Sequence, residues 1–355
     1  NVGLAANVTL DSSNGGGSPA GATISVTGTV DADLAANNRT LTLNSGTGGN
    51  TTLSGAVGNN QALQNLTVAN SNALSLQAIT TTADIQLNAQ NTVTLNNAIN
   101  AGSGTVTIGA NQNGAGAESF TMAAGSSITT TNTTANAVQI HVNAAAGGTG
   151  TAALRNITTG DGGTLTVATN TGGNATGGDI TQTAATLLNV GSGTINLTTP
   201  AIASANIGVS ATPILTSAGT SNASTGTSGI YITETDGADF TATATGAGPI
   251  TLTSTTGALN IAGATSTGTG AITLTADTVN VNNTLSSTGA LALNPVTAAG
   301  NLTVSSSSAS NLTDGFSAIT IGNAAGTGAV TVNALTVSDP LTIRSPTTTG
   351  TVTVN

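Results

Sequence analysis

One short phrase recurs from end to end of this chain: an apolar residue, a small polar one, a second apolar one, then Asn, Gly or Thr. It reads Leu41-Thr42-Leu43-Asn44, Ile85-Gln86-Leu87-Asn88, Val93-Thr94-Leu95-Asn96, Ile195-Asn196-Leu197-Thr198, Ile272-Thr273-Leu274-Thr275 and Val352-Thr353-Val354-Asn355. Alternation of this kind is the period of a strand with one face buried and the other wet. A Gly/Asn/Ser/Thr cluster follows nearly every phrase, which is turn chemistry. Many near-identical short strands imply a repeat architecture, in which each unit buries its apolar face against its neighbours.

Two distant stretches give the period. Asp84 to Gly109 and Ala271 to Asn294 align so that Ile85 and Leu87 match Ile272 and Leu274. Val93 and Leu95 then match Val279 and Val281, Ile99 matches Leu285, and Val106 and Ile108 match Leu291 and Leu293. The repeat is about 20 residues and holds two or three strands, inside the range of solenoid repeats. The expected fold is all-β: a right-handed parallel β-helix (β-solenoid) with about 20 residues per coil. Residues 1–355 are read as a single continuous repeat region, because no composition shift or Pro-rich hinge marks a boundary. Leu41, Leu43, Ile85, Leu87, Val93, Leu95, Ile272, Leu274, Val279 and Val281 are expected to point inward. Outward positions should form Thr and Ser ladders, and Asn should stack at corners. Ser12 to Ala20, Gly172 to Gly178 and Ala218 to Ser228 read as loops or short excursions from the rod.

Composition excludes several functions. Three Arg (Arg39, Arg155, Arg344), no Lys and thirteen acidic residues give a net charge of −10, which argues against nucleic acid. No run approaches the ~18 apolar residues of a membrane helix. Tyr231, Phe120, Phe240 and Phe316 are too few aromatics for the girdles of a membrane barrel, so membrane insertion is not expected. With no cysteine, disulfides and thiolate metal sites are excluded.

Candidate sites are sparse. Glu234, Asp236 and Asp239 form the densest acidic cluster and are a weak calcium candidate, since Ca²⁺ takes carboxylate and carbonyl oxygens. No cofactor is expected. His141 is the only histidine; alternation places it opposite Ile140, on the wet face. Asp31 and Asp33 are an isolated pair and each Arg stands alone, so the clustered carboxylates of a glycan-cleaving site are missing and no enzyme is expected. Thr-X-Thr pairs (Thr40/Thr42, Thr92/Thr94, Thr105/Thr107, Thr251/Thr253, Thr351/Thr353) suggest the alternative reading, an ice-binding β-solenoid with outward Thr ranks. Against it, Asn, Gln, Ala or Ser often replace the Thr.

The phrasing resembles the β-repeat regions of filamentous-haemagglutinin-like exoproteins, large secreted bacterial solenoids. Gly315 to Pro346, Gly229 to Phe240, Gly46 to Gly58 and Ala62 to Val68 carry the resemblance best. The family's amino-terminal secretion phrase NPNG and an RGD are both missing: Asn294-Pro295 is followed by Val296. The resemblance implies a shaft segment at the bacterial cell surface or outside it, with cell-surface glycans or neighbouring cells as candidate partners. The chain begins at Asn1 without Met or a signal-like segment and is expected to be a processed product or an excised piece. Neither end reads as capped, so the chain is expected to join itself head to tail.

Overall fold

The computed structural model describes residues 1–35, 38–143, 148–170, 177–202, 204–345, 347 and 349–355. It is all-β: among the described residues there is no helix, and all the registers between named strands are parallel. Two compact units divide the chain, residues 1–193 and 194–355.

The first unit is built on three parallel ladders. The first ladder stacks Val8–Asp11, Thr40–Asn44, Asn65–Asn70, Ile85–Asn88, Val106–Ala110, Val138–Val142 and Thr164–Thr169. The second stacks Ile24–Val26, Thr51–Leu53, Leu74–Leu76, Val93–Leu95, Phe120–Met122, Ala152–Leu154 and Ile180–Gln182. A third, shorter one runs from Val2–Leu4 and Val30–Ala32 through Val57, Ile79–Thr80, Ile99–Asn100 and Ser127–Thr129 to Asn156–Thr158. The chain visits the three in order and begins again, a path compatible with a parallel β-helix. Ile85 pairs with Val106, 21 residues on, where the repeat of about 20 residues places its equivalent. The spacing is not uniform, however. Paired residues lie 19 apart at Leu66 and Ile85 but 33 apart at Val8 and Leu41. The extra residues sit in turns such as 12–22, where length can vary without disturbing the strand register.

The second unit repeats the scheme. Its first ladder runs through Ile230–Glu234, Ile250–Ser254, Ile272–Thr275, Ala290–Asn294, Ala318–Ile321 and Leu341–Ile343. The second runs from Ile214–Thr225 through Ala238–Ala244, Ala258–Ile261, Thr278–Val281, Leu302–Ser306 and Ala329–Asn333 to Thr351–Val354. A short third ladder stacks Thr265–Thr267 under Leu285–Ser286 and bridges Leu285 to Leu312.

The core follows from the alternation. All ten residues expected inward are at most 2% exposed. Each fully buried Leu, Ile or Val contributes roughly 1.5–3 kcal/mol, and in-register stacking makes each rung the cover of the next. One stretch departs from expectation: Ala218 to Ser228, expected as a loop, lies mostly within the strand Ile214–Thr225. Its inward positions are small or polar (Ala218, Ser221, Ala223, Thr225, all buried), so it lacks the Val/Ile/Leu signature of a rung. The neighbouring rung supplies the bulk instead, with Phe240 in register opposite Ser221. Ser12 to Ala20 is a turn, as expected. Of Gly172 to Gly178, residues 172–176 lie outside the described residues.

Corners use Asn and Gly as the sequence suggests. Asn14, Asn111, Asn143 and Asn170 have φ between 50° and 55°, the left-handed region that Asn tolerates best after Gly. Beside the second ladder, Asn72 Nδ2 donates to Asn50 Oδ1 (2.8 Å), Asn91 to Asn72 (2.5 Å) and Asn113 to Asn91 (2.6 Å). This amide column climbs rung by rung.

Candidate functional site: the uncovered ladder edges

The acidic cluster splits between the interior and the surface. The strand Ile230–Glu234 alternates inward at Ile230, Ile232 and Glu234, so the Glu234 carboxyl enters the interior and is fully buried. Its Oε2 accepts from Thr216 Oγ1 at 2.6 Å, and its Oε1 accepts from the N–H groups of Ala218 and Thr235 at 3.1 Å each. Burial, reinforced by a hydrogen bond with Asp236, pushes its pKa up to about 7. Asp239 faces outward on the following strand, Ala238–Ala244, and accepts from Asn260 Nδ2 at 3.0 Å. Asp236 sits exposed in the turn between them, within reach of Ser217 Oγ. Among the described residues no three His, Cys, Asp or Glu side chains are grouped as a metal site.

The other singled-out residues are dispersed too. His141 is half-buried between Gly109 and Ala168 of the adjoining rungs, and desolvation lowers its pKa. Arg39 pairs with Asp33 at 2.9 Å. Asp31 instead accepts from the N–H and side-chain amide of Asn60. Arg155 donates to the carbonyl of Met122 at 3.0 Å. The Thr ranks are interrupted: Thr251 and Thr253 stack under Thr273 and Thr275, but the next rung carries Ala292 and Asn294.

What the ladders leave uncovered is at their edges. In the first unit, Val8–Asp11 pairs only upward, with Thr40–Asn44, among the described residues. Val8 and Leu10 hold the same inward register as the buried Leu41 and Leu43, yet Leu10 is 40% exposed. Ile24 and Val26 of the second ladder are only half-buried. In the second unit, Leu341–Ile343 and Thr351–Val354 pair only with the rungs before them among the described residues. Leu341, Val352 and Val354 are 42%, 46% and 64% exposed, although their in-register partners Ile319, Val330 and Val332 are buried.

Arg344 marks the second of these edges. In the register set by Ile343 and Ile321, and by Ile321 and Leu293, it tops an outward column of Thr275, Asn294 and Gly322. Gly322 lacks a side chain there, and a cleft of about 460 Å³ opens along the column. Arg344 lines it, and its Nε is shielded from solvent without a hydrogen-bond partner among the described residues. The chain matches no family model, no curated protein and no solved structure. Reading the sequence found the inward phrases but not the role of Glu234. The signal for it was present, since the alternation of Ile230 and Ile232 points the third position inward.

Proposed function

We propose that this chain is a structural segment of an extracellular bacterial filament, fibre or adhesin shaft, joining end to end through its uncovered ladder edges. In this reading it is a right-handed β-helix of the filamentous-haemagglutinin-like kind, with coils of about 20 residues in its most regular stretches. The observation that carries the proposal is the pair of edges. Both expose apolar side chains in the register that is buried one rung further in, and an open ladder edge offers backbone N–H and C=O groups for pairing. Two complementary, non-identical edges make a heterologous contact, which generates filaments when it does not close.

Continuous ladders then supply axial stiffness, and the Lys-free surface offers few sites to Lys-directed proteases. Candidate partners besides a second copy are cell-surface glycans and neighbouring cells. No catalytic role is assigned. Electron microscopy of bacteria expressing the chain, labelled with antibody raised against the purified protein, tests the location. Label along surface fibres is the expected result; label confined to the cell interior overturns it.

A further inference from the structure

We propose that Asn14 is a site of spontaneous covalent modification, deamidating through a ring closed by the nitrogen of Gly15, while Asn113, in the same Asn-Gly sequence, is held intact by its place in the amide column. These are the two Asn-Gly steps of the chain. A following Gly favours the reaction, because it brings no Cβ to crowd its own nitrogen. That nitrogen attacks Cγ of the Asn side chain and forms an N–Cγ bond. The Cγ–Nδ2 bond breaks, and Nδ2 leaves as ammonia with the proton that the Gly N–H gives up. Water then opens the five-membered imide at either carbonyl, leaving aspartate or its β-linked isomer.

The surroundings of the two side chains differ. Asn113 Nδ2 donates to Asn91 Oδ1 at 2.6 Å, and Asn113 Oδ1 accepts from Ala115 N–H at 2.8 Å. Turning Cγ onto the Gly114 nitrogen breaks both bonds. Asn91 cannot follow the motion, because its own amide is tied to Asn72 and through it to Asn50. Asn14 is exposed in the turn 12–22, with φ 55°, and Gly15 and Gly16 follow at 63° and 90°. No hydrogen bond holds its side-chain amide among the described residues. A Cβ on Gly15 or Gly16 would meet nothing within 4 Å, so the turn has room to rearrange around the ring. Gly15 N–H donates to Asp11 Oδ2 at 2.9 Å rather than to a ladder carbonyl, so ring closure takes no bond from the sheet. The product places a second carboxylate three residues from Asp11, which ties the turn through Ser13 N–H and Oγ. Modification therefore loosens this turn.

The three Arg make the test direct. Cleavage after Arg39 and Arg155 puts the two sites in separate peptides, 1–39 and 40–155, and mass spectrometry with fragmentation places each converted residue. The folded protein is aged at mildly alkaline pH, where the backbone nitrogen gives up its proton more readily. Asn14 should convert roughly tenfold faster than Asn113, the factor that breaking one or two net hydrogen bonds represents. In urea, where the column is gone, the two rates should converge. Asn91→Ala removes the acceptor from Asn113 and should speed Asn113 several-fold while leaving Asn14 unchanged, with circular dichroism showing that the strands are retained. Equal rates in the folded protein, or faster conversion of Asn113, overturn the assignment of Asn14. A difference that persists in urea, or an Asn113 rate that Asn91→Ala does not move, overturns the protection by the column.

Discussion

At the residue scale, Glu234 is the position with the largest shift coupling folding to pH. Its folded-state pKa of about 7 lies above the ordinary value of 4.5, so the folded protein retains a proton that the unfolded chain has released. The resulting stabilisation is complete below pH 4.5, shrinks as pH rises, and is gone above about 7. It amounts to on the order of 3 kcal/mol. Urea titrations at pH 5 and pH 8 should therefore show lower stability at the higher pH, and Glu234→Gln, which keeps an acceptor for Thr216 without the charge, should flatten the difference. An unchanged pH profile in that variant would place the effect elsewhere. Leu274 is fully buried, and Leu274→Asp should cost several kcal/mol by burying an unpaired charge. Hydrogen exchange should rise most in the rungs next to it, 250–254 and 290–294. Inward apolar residues such as Leu274 were legible from alternation alone. The Arg344 cleft was not, because it depends on Gly322 and Asn294 sharing a column across rungs of unequal spacing.

At the element scale, the ladders hold register through corners of very different length, and one corner shows what they demand. A Cβ on Gly270 would overlap the carbonyl of Gly248, and a Cβ on Gly289 would overlap that of Gly270. Successive rungs approach there closely enough that backbone packs on backbone. Gly270→Ala should then cost about 1–3 kcal/mol through a forced backbone shift, measurable as a lower thermal midpoint. A neutral result would mean that the corner yields freely. The strand Ile214–Thr225 shows the limit of sequence patterning at this scale. A rung can be lined by Ala, Ser and Thr when its neighbour brings a Phe, and only the register of Ser221 with Phe240 reveals the compensation. In contrast, the pairings of Ile85 with Val106 and Ile272 with Leu291 were visible directly, since those rungs carry matching phrases and short turns.

For the whole molecule, fold and proposed role share one physical origin: rungs covered by rungs, with no side-chain cluster required to hold them. Folding should accordingly need no metal, and melting with and without EDTA should give the same midpoint; a large drop on chelation would restore the calcium reading at Glu234, Asp236 and Asp239. The central claim is that the two uncovered edges join copies end to end. A concentration series in small-angle X-ray scattering tests it most directly, because length and cross-section are read separately. The account predicts particles whose length grows with concentration while the cross-section stays that of one chain. Monomers of fixed length at every concentration, or growth in cross-section instead of length, would contradict it.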